Sequence, residues 1–582
     1  MNINSNKNYP EVLIIGIDGA TFDLIIPWAE EGKLPNFARL IKDGMWGDLM
    51  STLPPVTAPA WTSFMTGKNP GRHGLFHFIE PQPNSYEMQY TNARSRGGKS
   101  MWQILTDIGK TVGVINVPMT YPPEKVNGYM ISGMDTPDEN SNFIYPPELY
   151  KELKERFGKI NLGVQFLGGF RTDKRRDIFL NTVNEIEDQW TQLTLYLMKR
   201  YPTDIVMTVF RSPDQVQHLF WHYMDANHPQ YDAEGAVRYS QTILRTYKKI
   251  DERIGKLIDA VSDKTKVVLM SDHGFGPTSS RVIYINRYLE EIGLLQFKGG
   301  NNRSNAINRV FHRGIKNIDD IVRAYLSSNL KAKIANLFPD IRKKWESYST
   351  SFSDIDWSKT KAYACEVLTF PANIWINLKG QKPNGIVEPG REYKEVIDYL
   401  MEKLYDLRDP DTGERIIRKV YKKEDIYDGH YLDKSPDLIL GWWDAKGFNS
   451  RNSSHVNGNN KVVEDHRGKK LVTGTVWSGT HRLNGIVLFK GNDLKRGRLT
   501  NKAEIIDVAP TILYLMGLPI PKDMDGQVLL DVIEKDWLSS HPITYKQYDE
   551  SDKVGSDFQE NTYSEEETGK IEERLRGLGY LE

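Results

Sequence analysis

The chain has 582 residues, of which 39% are hydrophobic and 26% charged, and its formal net charge is -1. This composition excludes a largely disordered chain, and the near-neutral charge gives no reason to expect a nucleic-acid scaffold. The single cysteine, Cys365, excludes intramolecular disulfides, so a reducing compartment is indicated and a transition-metal site would use His and carboxylate ligands.

Near the N-terminus, a polar segment leads into the apolar run VLIIGI at residues 12–17. This run is too short for a membrane span and lacks the flanking pattern of a signal peptide. We therefore expect a cytoplasmic protein.

Residues 11–290 alternate between short apolar runs and longer segments of helical pattern. The pattern predicts a strand over 11–17, a helix near LPNFARLIKDG, and a helix followed by a strand in SMWQILTDIGKTVGVINVP. A further helix is predicted from about 235 to 261, just before the strand-like run KVVLM. Such alternation is typical of a parallel, doubly wound sheet, and we expect one large domain interrupted by an insertion.

Three of the apolar runs lead directly to acidic residues. VLIIGI precedes Asp18, DIVMTVF comes shortly before Asp214, and KVVLM is followed by Asp272 and His273. In open α/β sheets, ligands bind beyond the carboxyl ends of the strands, so these side chains are expected to converge. Carboxylate and imidazole groups in this position predict a metal site, and hence a metalloenzyme.

A Pro-rich loop leads into VTAPAWTSFMTGKNPGRHG, where Thr57 followed by Pro59 predicts the start of a helix. The free amides and the dipole of a helix N-terminus favour a phosphate or sulfate group. Thr57 is therefore a candidate nucleophile in an anion-binding cradle. The alternative for the isolated motif is a threonine that only caps the helix.

Further candidate ligands lie in three short motifs. RSPDQVQH places Asp214 and His218 four residues apart, so both side chains can reach a single ion from one helical turn. In SDHG, Asp272 and His273 stand at a predicted strand-to-loop corner, and the alternative is an Asx turn with a surface histidine. In GTH, His481 precedes the predicted strand GIVLF and, taken alone, would be a loop histidine.

Residues 300–350 break the alternation with a segment of helical pattern. From Arg303 to Lys344, ten Lys or Arg residues stand against three Asp residues. We interpret residues 296–360 as a basic helical cap inserted into the core. The alternative for a basic amphipathic segment over 303–344 is peripheral contact with an anionic membrane or an acidic partner.

After the insertion the strand pattern resumes with AYACEVLTF, NIWINL, DLILGWW and GIVLFKG, and IIDVAPTILYLMG predicts a helix. The predicted catalytic core thus consists of residues 11–295 and 361–545. Residues 546–582 form an acidic tail that is poor in apolar residues until LRGLGYL, and a short docking helix is expected there.

In this order, the phrases IGIDG, TAPAWTSFMTG, DQVQH, SDHGF and GTH resemble the motifs of the alkaline phosphatase superfamily, most closely its type I phosphodiesterase and nucleotide pyrophosphatase branch. The resemblance covers most of residues 11–530, and INLKGQKPNGIV, IIDVAPTILYLMGLP and RLRGLGYL resemble stretches of prokaryotic members. It implies an alkaline-phosphatase-like three-layer αβα sandwich around a mostly parallel sheet, with a helical cap insertion.

The resemblance also implies two divalent metal ions, Zn2+ or alternatively Mn2+. Its motifs, matched one by one, give Asp214, His218 and His481 as ligands of one ion, and Asp18, Asp272, His273 and the Thr57 hydroxyl oxygen as ligands of the other. Thr57 would attack phosphorus to give a phospho-threonine intermediate, which water would then hydrolyse.

The expected substrate is a small phosphate ester, such as a nucleotide or a lipid head group, cleaved at a phosphodiester or pyrophosphate bond. Phosphomonoesterase or phosphotransferase activity stays open, because no side chain is assigned as a second clamp on the phosphate. Arg72 and Arg281 are candidates for a bidentate contact to the extra charge of a monoester. A non-catalytic binder of phosphorylated ligands is a further alternative, although a binder would need no nucleophile.

Overall fold

A computed structural model of the chain describes residues 9–164, 172–298, 355–365, 373–441, 449–453, 461–465, 467, 477–548 and 563–577. The strands in these ranges are β1 (Val12–Ile17), β2 (Met45–Met50), β3 (Ile79–Pro81), β4 (Met88–Tyr90), β5 (Val112–Val117), β6 (Gly128–Ser132), β7 (Ile144–Tyr145), β8 (Ile205–Phe210), β9 (Lys266–Met270), β10 (Gly274–Tyr284), β11 (Ala362–Ala364), β12 (Asn373–Ile376), β13 (Lys419–Lys422), β14 (Leu438–Gly441), β15 (Asn449–Ser453), β16 (Val463–Asp465), β17 (Gly479–Arg482), β18 (Asn484–Lys490), β19 (Gly497–Arg498), β20 (Ala503–Glu504), β21 (Ile520–Pro521) and β22 (Tyr545–Lys546).

The α-helices in the same ranges are α1 (Phe22–Glu30), α2 (Pro35–Asp43), α3 (Thr57–Thr66), α4 (Pro70–His73), α5 (Met101–Asp107), α6 (Leu149–Phe157), α7 (Asp173–Arg200), α8 (Ser212–Met224), α9 (Ala233–Tyr239), α10 (Thr242–Asp259), α11 (Ile285–Glu291), α12 (Arg391–Asp406), α13 (Lys423–Ile426), α14 (Val508–Leu515), α15 (Lys535–Ser540) and α16 (Glu565–Gly577). None of the helices in the described ranges combines the length and the apolar character that a membrane crossing requires.

A ten-stranded sheet forms the core of the molecule. β9, β1, β8, β5 and β6 lie side by side in this order and are parallel. β18 pairs antiparallel with both β9 and β2, and β7 pairs antiparallel with β6 at the other edge. Every residue of β1, β5 and β8 is buried, which is expected of parallel strands covered by helices on both faces. The predicted α/β fold around a mostly parallel sheet is confirmed.

Gly16 in β1 lets α3 pack closely against this sheet. A Cβ atom at this position would lie 2.6 Å from the Trp61 ring and 2.8 Å from a methyl group of Val209. Trp61 is fully buried and makes an edge-to-face contact with Phe64, with ring centroids 5.9 Å apart. The helix that begins at Thr57 is therefore held against the strand that leads to Asp18.

Replacing Gly16 by valine is expected to lower the free energy of unfolding by about 1–3 kcal/mol, because the added methyl groups must displace the Trp61 ring. Urea unfolding measures this change. Trp61→Phe removes the ring atoms nearest to Gly16, so Gly16→Val should be less destabilising in that background. An equal cost in both backgrounds would show that the Trp61 contact is not the cause.

Two smaller sheets lie outside the central sheet. β10 pairs with β15, β16 and β17, while β11, β12, β14 and β13 form a separate antiparallel sheet. Of the described strands after residue 361, β18, β19 and β20 lie in the central sheet, and the others pair elsewhere. An apolar run predicts a strand without specifying its partner.

Other segments refine the sequence-based boundaries. The helix predicted from about 235 to 261 is divided into α9 and α10. Phe297 and Ile355 form an antiparallel bridge, so the two ends of the predicted insertion meet. The basic segment 303–344, and with it the prediction of a helical cap, lies outside the described residues, as do residues 549–562 of the tail.

The helix α16 packs against the segment that follows β6. The Arg574 guanidinium donates hydrogen bonds to the backbone carbonyls of Met134 (2.8 Å) and Pro137 (3.1 Å), and also to that of Thr136. Tyr563, just before α16, stacks on Tyr121 with ring centroids 5.9 Å apart. The C-terminal part of the chain thus completes the surroundings of residues 134–137.

Candidate metal centre

The carboxyl ends of three neighbouring strands form the candidate site. β9, β1 and β8 are adjacent, and they lead to Asp272 with His273, to Asp18, and to Asp214 in the first turn of α8, respectively. The Asp18 amide donates to the Phe210 carbonyl (2.8 Å), and the Asp214 amide donates to the Asp18 carbonyl (3.1 Å). The backbone itself therefore holds two of the acidic residues side by side.

The first cluster consists of Asp214, His218 and His481. Oδ1 of Asp214 lies 3.3 Å from Nε2 of each histidine, and the two Nε2 atoms are 3.1 Å apart. Asp214 and His218 share one face of α8, as their spacing predicts. His481 is in β17, opposite Phe275 of β10, so it is a strand residue and not a loop histidine.

The second cluster lies around His273. Its Nε2 atom is 3.5 Å from Oδ1 of Asp18 and 3.3 Å from Oδ2 of Asp272. The possible ligand atoms of Asp18, Asp214 and His273 all lie within 4.8 Å of one another. The family resemblance implies Asp272 in place of Asp214. Asp214 thus belongs to both clusters, while Asp272 also accepts a hydrogen bond from the Gly19 amide (3.2 Å) through Oδ1.

The three histidines are held in one tautomer by the backbone. The Nδ1 atoms of His218, His273 and His481 face the carbonyl oxygens of Gly479 (2.9 Å), Gly274 (3.1 Å) and Pro55 (2.8 Å), respectively. A carbonyl oxygen only accepts hydrogen bonds, so each Nδ1 carries the proton of the neutral ring and each Nε2 presents a lone pair. This second contact is the usual way in which proteins orient metal-binding histidines.

The carboxylate oxygens that these lone pairs meet have no donor of their own. Asp18 Oδ1, Asp214 Oδ1 and Asp272 Oδ2 are buried and accept no hydrogen bond within the described chain. Lone pairs of nitrogen and oxygen therefore face one another at 3.1–3.5 Å in a buried site, an arrangement that cations would relieve. The residues present fit two divalent metal ions.

The electrostatics of the cluster agree with this interpretation. Burial and the neighbouring carboxylates Asp272 and Asp214 raise the pKa of Asp18 well above its ordinary value, although Arg211 acts in the opposite direction. Burial and Asp214 raise the pKa of Asp272 to about 7, and burial lowers the pKa of His273. Burial would also raise the pKa of Asp214, but His218 and His481 hold it below its ordinary value. Without cations, the protein cannot keep all of these clustered carboxylates ionised at neutral pH.

Thr57 lies beside the second cluster. It is the first residue of α3, fully buried, and its Oγ1 atom is 3.3 Å from Nε2 of His273. The N-cap position belongs to Val56, so Thr57 does not have the capping role considered as an alternative. The Pro-rich loop before α3 also supplies the Pro55 carbonyl that orients His481. One loop therefore positions both the hydroxyl group and a candidate ligand.

Neither arginine proposed as a phosphate clamp is available in this arrangement. Arg72 forms ion pairs with Asp428 (2.8 Å) and Asp525 (2.9 Å). Arg281 is held by three carboxylates, those of Asp409 (2.8 Å), Asp411 (2.6 Å) and Asp465 (3.2 Å). Their guanidinium groups already have anionic partners, which gives no support for their role in monoester recognition.

Sequence reasoning missed the backbone groups that orient the ligands. The carbonyls of Pro55, Gly274 and Gly479 fix the tautomers, and backbone atoms have no sequence signature. His228 adds a further support, because its Nε2 contacts the Ser478 carbonyl (2.9 Å) and the Ser478 amide donates to the His218 carbonyl (2.8 Å). The position of His228 near the DQVQH motif was the only available signal.

The chain matches the sequence model of a family described as type I phosphodiesterase / nucleotide pyrophosphatase over residues 12–467. His481 lies beyond these residues. No curated protein matches the chain at a significant level.

Two solved structures are similar to the chain. Phosphonoacetate hydrolase from Sinorhizobium meliloti 1021, in complex with phosphonoacetate, is similar with a TM-score of 0.51 and 12% identity, over 87% of this chain and 95% of that chain. Murine ectonucleotide pyrophosphatase / phosphodiesterase 5, in an inactive form in complex with AMP, has a TM-score of 0.45 and 14% identity, over 88% of this chain and 95% of that chain. At 12% identity, the first similarity shows a shared fold.

Proposed function

The chain belongs to the type I phosphodiesterase / nucleotide pyrophosphatase family of the alkaline phosphatase superfamily, and from this membership we propose a two-metal phosphohydrolase with a phospho-threonine intermediate at Thr57. The bonds that it cleaves would be phosphodiester or pyrophosphate bonds. The observation that carries the proposal is the Thr57 hydroxyl, buried at a helix N-terminus and 3.3 Å from His273 in the carboxylate–imidazole cluster.

Two cations would be held by the residues of the two clusters. One ion would be bound by Asp214, His218 and His481, and the other by Asp18, Asp272 and His273, with Asp214 close enough to contribute to both. Imidazole together with carboxylate suits zinc, and manganese is the alternative. When bound, the cations supply positive charge for both the attacking and the leaving oxygen of an in-line displacement.

The protein residues would carry out the displacement in two steps. The Thr57 Oγ1 atom forms a bond to phosphorus while the bond from phosphorus to the leaving alcohol or phosphate oxygen breaks, and the leaving oxygen or the solvent takes up the hydroxyl proton of Thr57. A water molecule then forms a bond to phosphorus while the bond from phosphorus to Thr57 Oγ1 breaks. One proton of this water restores the Thr57 hydroxyl group, and the phosphate product is released. Free backbone amides at the N-terminus of α3 would stabilise the nonbridging oxygens of the phosphoryl group.

The proposed cellular location rests on the single cysteine of the sequence. Cys365 is the only cysteine of the sequence and is buried, which agrees with a reducing environment, so we propose the cytoplasm. The proposed substrate is a small phosphate ester such as a nucleotide or a lipid head group.

Hydrolysis of bis(p-nitrophenyl) phosphate, compared with p-nitrophenyl phosphate, tests the proposed function. The purified protein is assayed with zinc or manganese and with a chelator as the blank. We expect a higher kcat/KM for the diester and no turnover after chelation. A preference for the monoester would change the assignment to phosphomonoesterase, and turnover of neither compound in the metal-loaded protein would contradict a general phosphodiesterase.

A further inference from the structure

Arg211 is a buried cation at the same sheet edge as the candidate metal centre, where its charge acts on the Asp18 carboxylate. It joins β8 to α8, and only 6% of the residue surface is exposed. Its Nη1 atom is buried and donates no hydrogen bond within the described chain. Burial of a guanidinium group without hydrogen-bond acceptors is strongly unfavourable, so such a group in a folded protein requires an explanation.

The Glu187 carboxylate, which lines the same region as Arg211, accepts hydrogen bonds from other donors. Glu187 Oε1 accepts the backbone amides of Arg211 (2.6 Å) and Ser212 (2.7 Å), and Oε2 accepts the Ser212 hydroxyl (2.7 Å). The side chain of Arg253 is also close to Oε2, at 3.7 Å. Glu187 therefore holds the start of α8, and within the described residues its carboxylate accepts no hydrogen bond from Arg211 Nη1.

A small cavity adjoins the Arg211 side chain. It contains about 270 Å³ of empty space, including its opening to solvent, and its lining includes Asn116, Gly163, Glu187 and Gln215. A Cβ atom at Gly163 would lie 3.4 Å from Arg211 Nη2, so the glycine lies directly beside the guanidinium. Because the volume includes open solvent, it is an upper bound, and it is too small for a whole nucleotide.

Asn116 is set into this cavity by an irregularity of β5. The pairing with β6 shifts register between Ile115 and Val117, and Asn116 has a left-handed backbone with φ of 58°. The Asn116 Nδ2 atom donates to the Val209 carbonyl (2.8 Å). Bulges and left-handed non-glycine residues occur often beside functional sites, because they redirect a side chain.

A second buried arginine adds positive charge to the same region. Arg574 uses its donors on backbone carbonyls, which satisfy its hydrogen bonds but carry no neutralising charge. Burial and the proximity of Arg211 lower the pKa of Arg574 to about 10. Asp135, which acts on Arg574 with the opposite sign, accepts the amides of Met119 (2.9 Å) and Tyr121 (2.6 Å). Two buried guanidinium groups thus lie close enough to influence each other.

We propose that Arg211 is the receptor for a second oxyanion of the substrate, beside the phosphate that is cleaved. Phe210, the residue before it, binds the Asp18 amide, so this subsite adjoins the candidate metal centre. The substrate class would be a phosphodiester or pyrophosphate that carries an additional phosphate, sulfate or carboxylate group. The identity of the ligand as a substrate rests on the proposed function, whereas oxyanion binding at Arg211 does not.

Thermal unfolding of the metal-loaded protein with and without sodium sulfate tests the anion site. Arg211→Met removes the charge but keeps most of the side-chain volume, so it should raise Tm by at least about 1–2 °C in buffer without oxyanions. Sulfate should raise the Tm of the wild type more than that of Arg211→Met, and Arg211→Lys should keep part of this increase. Sulfate bound to the metals would stabilise all three proteins, so the difference between them isolates Arg211.

Arg281→Met is the matched control. Arg281 forms ion pairs with three carboxylates, so its replacement should lower Tm. If Arg211→Met also lowers Tm and keeps the full sulfate effect, Arg211 has a structural partner and the proposal is wrong.

Kinetics test the link to the substrate. Thymidine 5′-(4-nitrophenyl phosphate) is compared with the same compound carrying a 3′-phosphate or a 3′-O-carboxymethyl group. We expect the wild type to prefer a compound with the added anion, and Arg211→Met to reduce this preference by about 10-fold or more. An unchanged preference would exclude Arg211 as the receptor. If the wild type hydrolyses none of the compounds, the proposed function fails, and the sulfate experiment still decides whether Arg211 binds an oxyanion.

Discussion

Replacing Thr57 by alanine is expected to lower kcat for bis(p-nitrophenyl) phosphate by about 10³-fold or more, while the protein keeps its metal ions. The variant loses the hydroxyl that would form the covalent intermediate, and enzymes that lose their nucleophile retain only the catalysis supplied by binding and electrostatics. Steady-state kinetics and elemental analysis of the same samples measure both quantities. Mass spectrometry of acid-quenched wild-type enzyme should detect phosphate on the peptide that contains Thr57.

The control for this variant is Thr62→Ala. Thr62 is in the same helix and equally buried, but its hydroxyl donates only to the Ala58 carbonyl (2.7 Å). Its replacement should leave kcat close to the wild-type value. If Thr57→Ala retained more than about a tenth of the wild-type kcat, a water molecule would have to attack the phosphate directly, and the phospho-threonine mechanism would be wrong.

Asp214→Asn is expected to have the second large effect. Asp214 Oδ1 contacts both His218 and His481, and the residue belongs to both clusters of ligand atoms. An amide has the shape of the carboxylate but not its charge, so the affinity for both metals should fall and kcat should decrease by about 10³-fold or more. The gain in Tm on addition of zinc to the chelated protein should be lost as well.

Asp251→Asn provides the comparison. Asp251 is buried and accepts the Phe37 amide (2.8 Å) and the Asn36 amide (3.1 Å) at the start of α2. Its replacement should reduce stability without reducing the metal content. Full metal content in Asp214→Asn after dialysis would remove Asp214 from the set of ligands.

The candidate site was predictable to the extent that it depends on strand ends. Parallel strands present their carboxyl ends at one edge, so apolar runs followed by Asp18, Asp214 and Asp272 were enough to predict convergence. The sharing of Asp214 between two clusters was not predictable, because it depends on side-chain direction at the start of α8. The lack of a hydrogen-bond acceptor for Arg211 Nη1 in the described chain was not predictable either, because backbone amides use Glu187 and no motif indicates this.

The fold, like the site, was predictable from the sequence only in part. The strands β1, β5, β8 and β9 follow from apolar runs, whereas β10 contains Gly, Pro and Ser and reads as a loop after SDHG. Its pairing with β15, β16 and β17 overrides this local preference. The long helix α7 is a different case. Its buried residues are spaced alternately four and three positions apart, and they include Phe179, Val183, Ile186, Trp190, Leu193 and Leu197. This is the periodicity of an amphipathic helix, so the helix is predictable from the sequence.

The contact between His481 and Pro55 has a consequence for how the protein is made. These residues are 426 positions apart, and synthesis at roughly 5–20 residues per second separates their appearance by on the order of half a minute. In the later part of this interval β9 lacks β18, its neighbour in the sheet, and the Asp214 carboxylate lacks His481. The nascent chain therefore has an unpaired apolar strand edge and an incomplete ligand set, so chaperone protection of that edge and metal uptake after translation are the expected order of events.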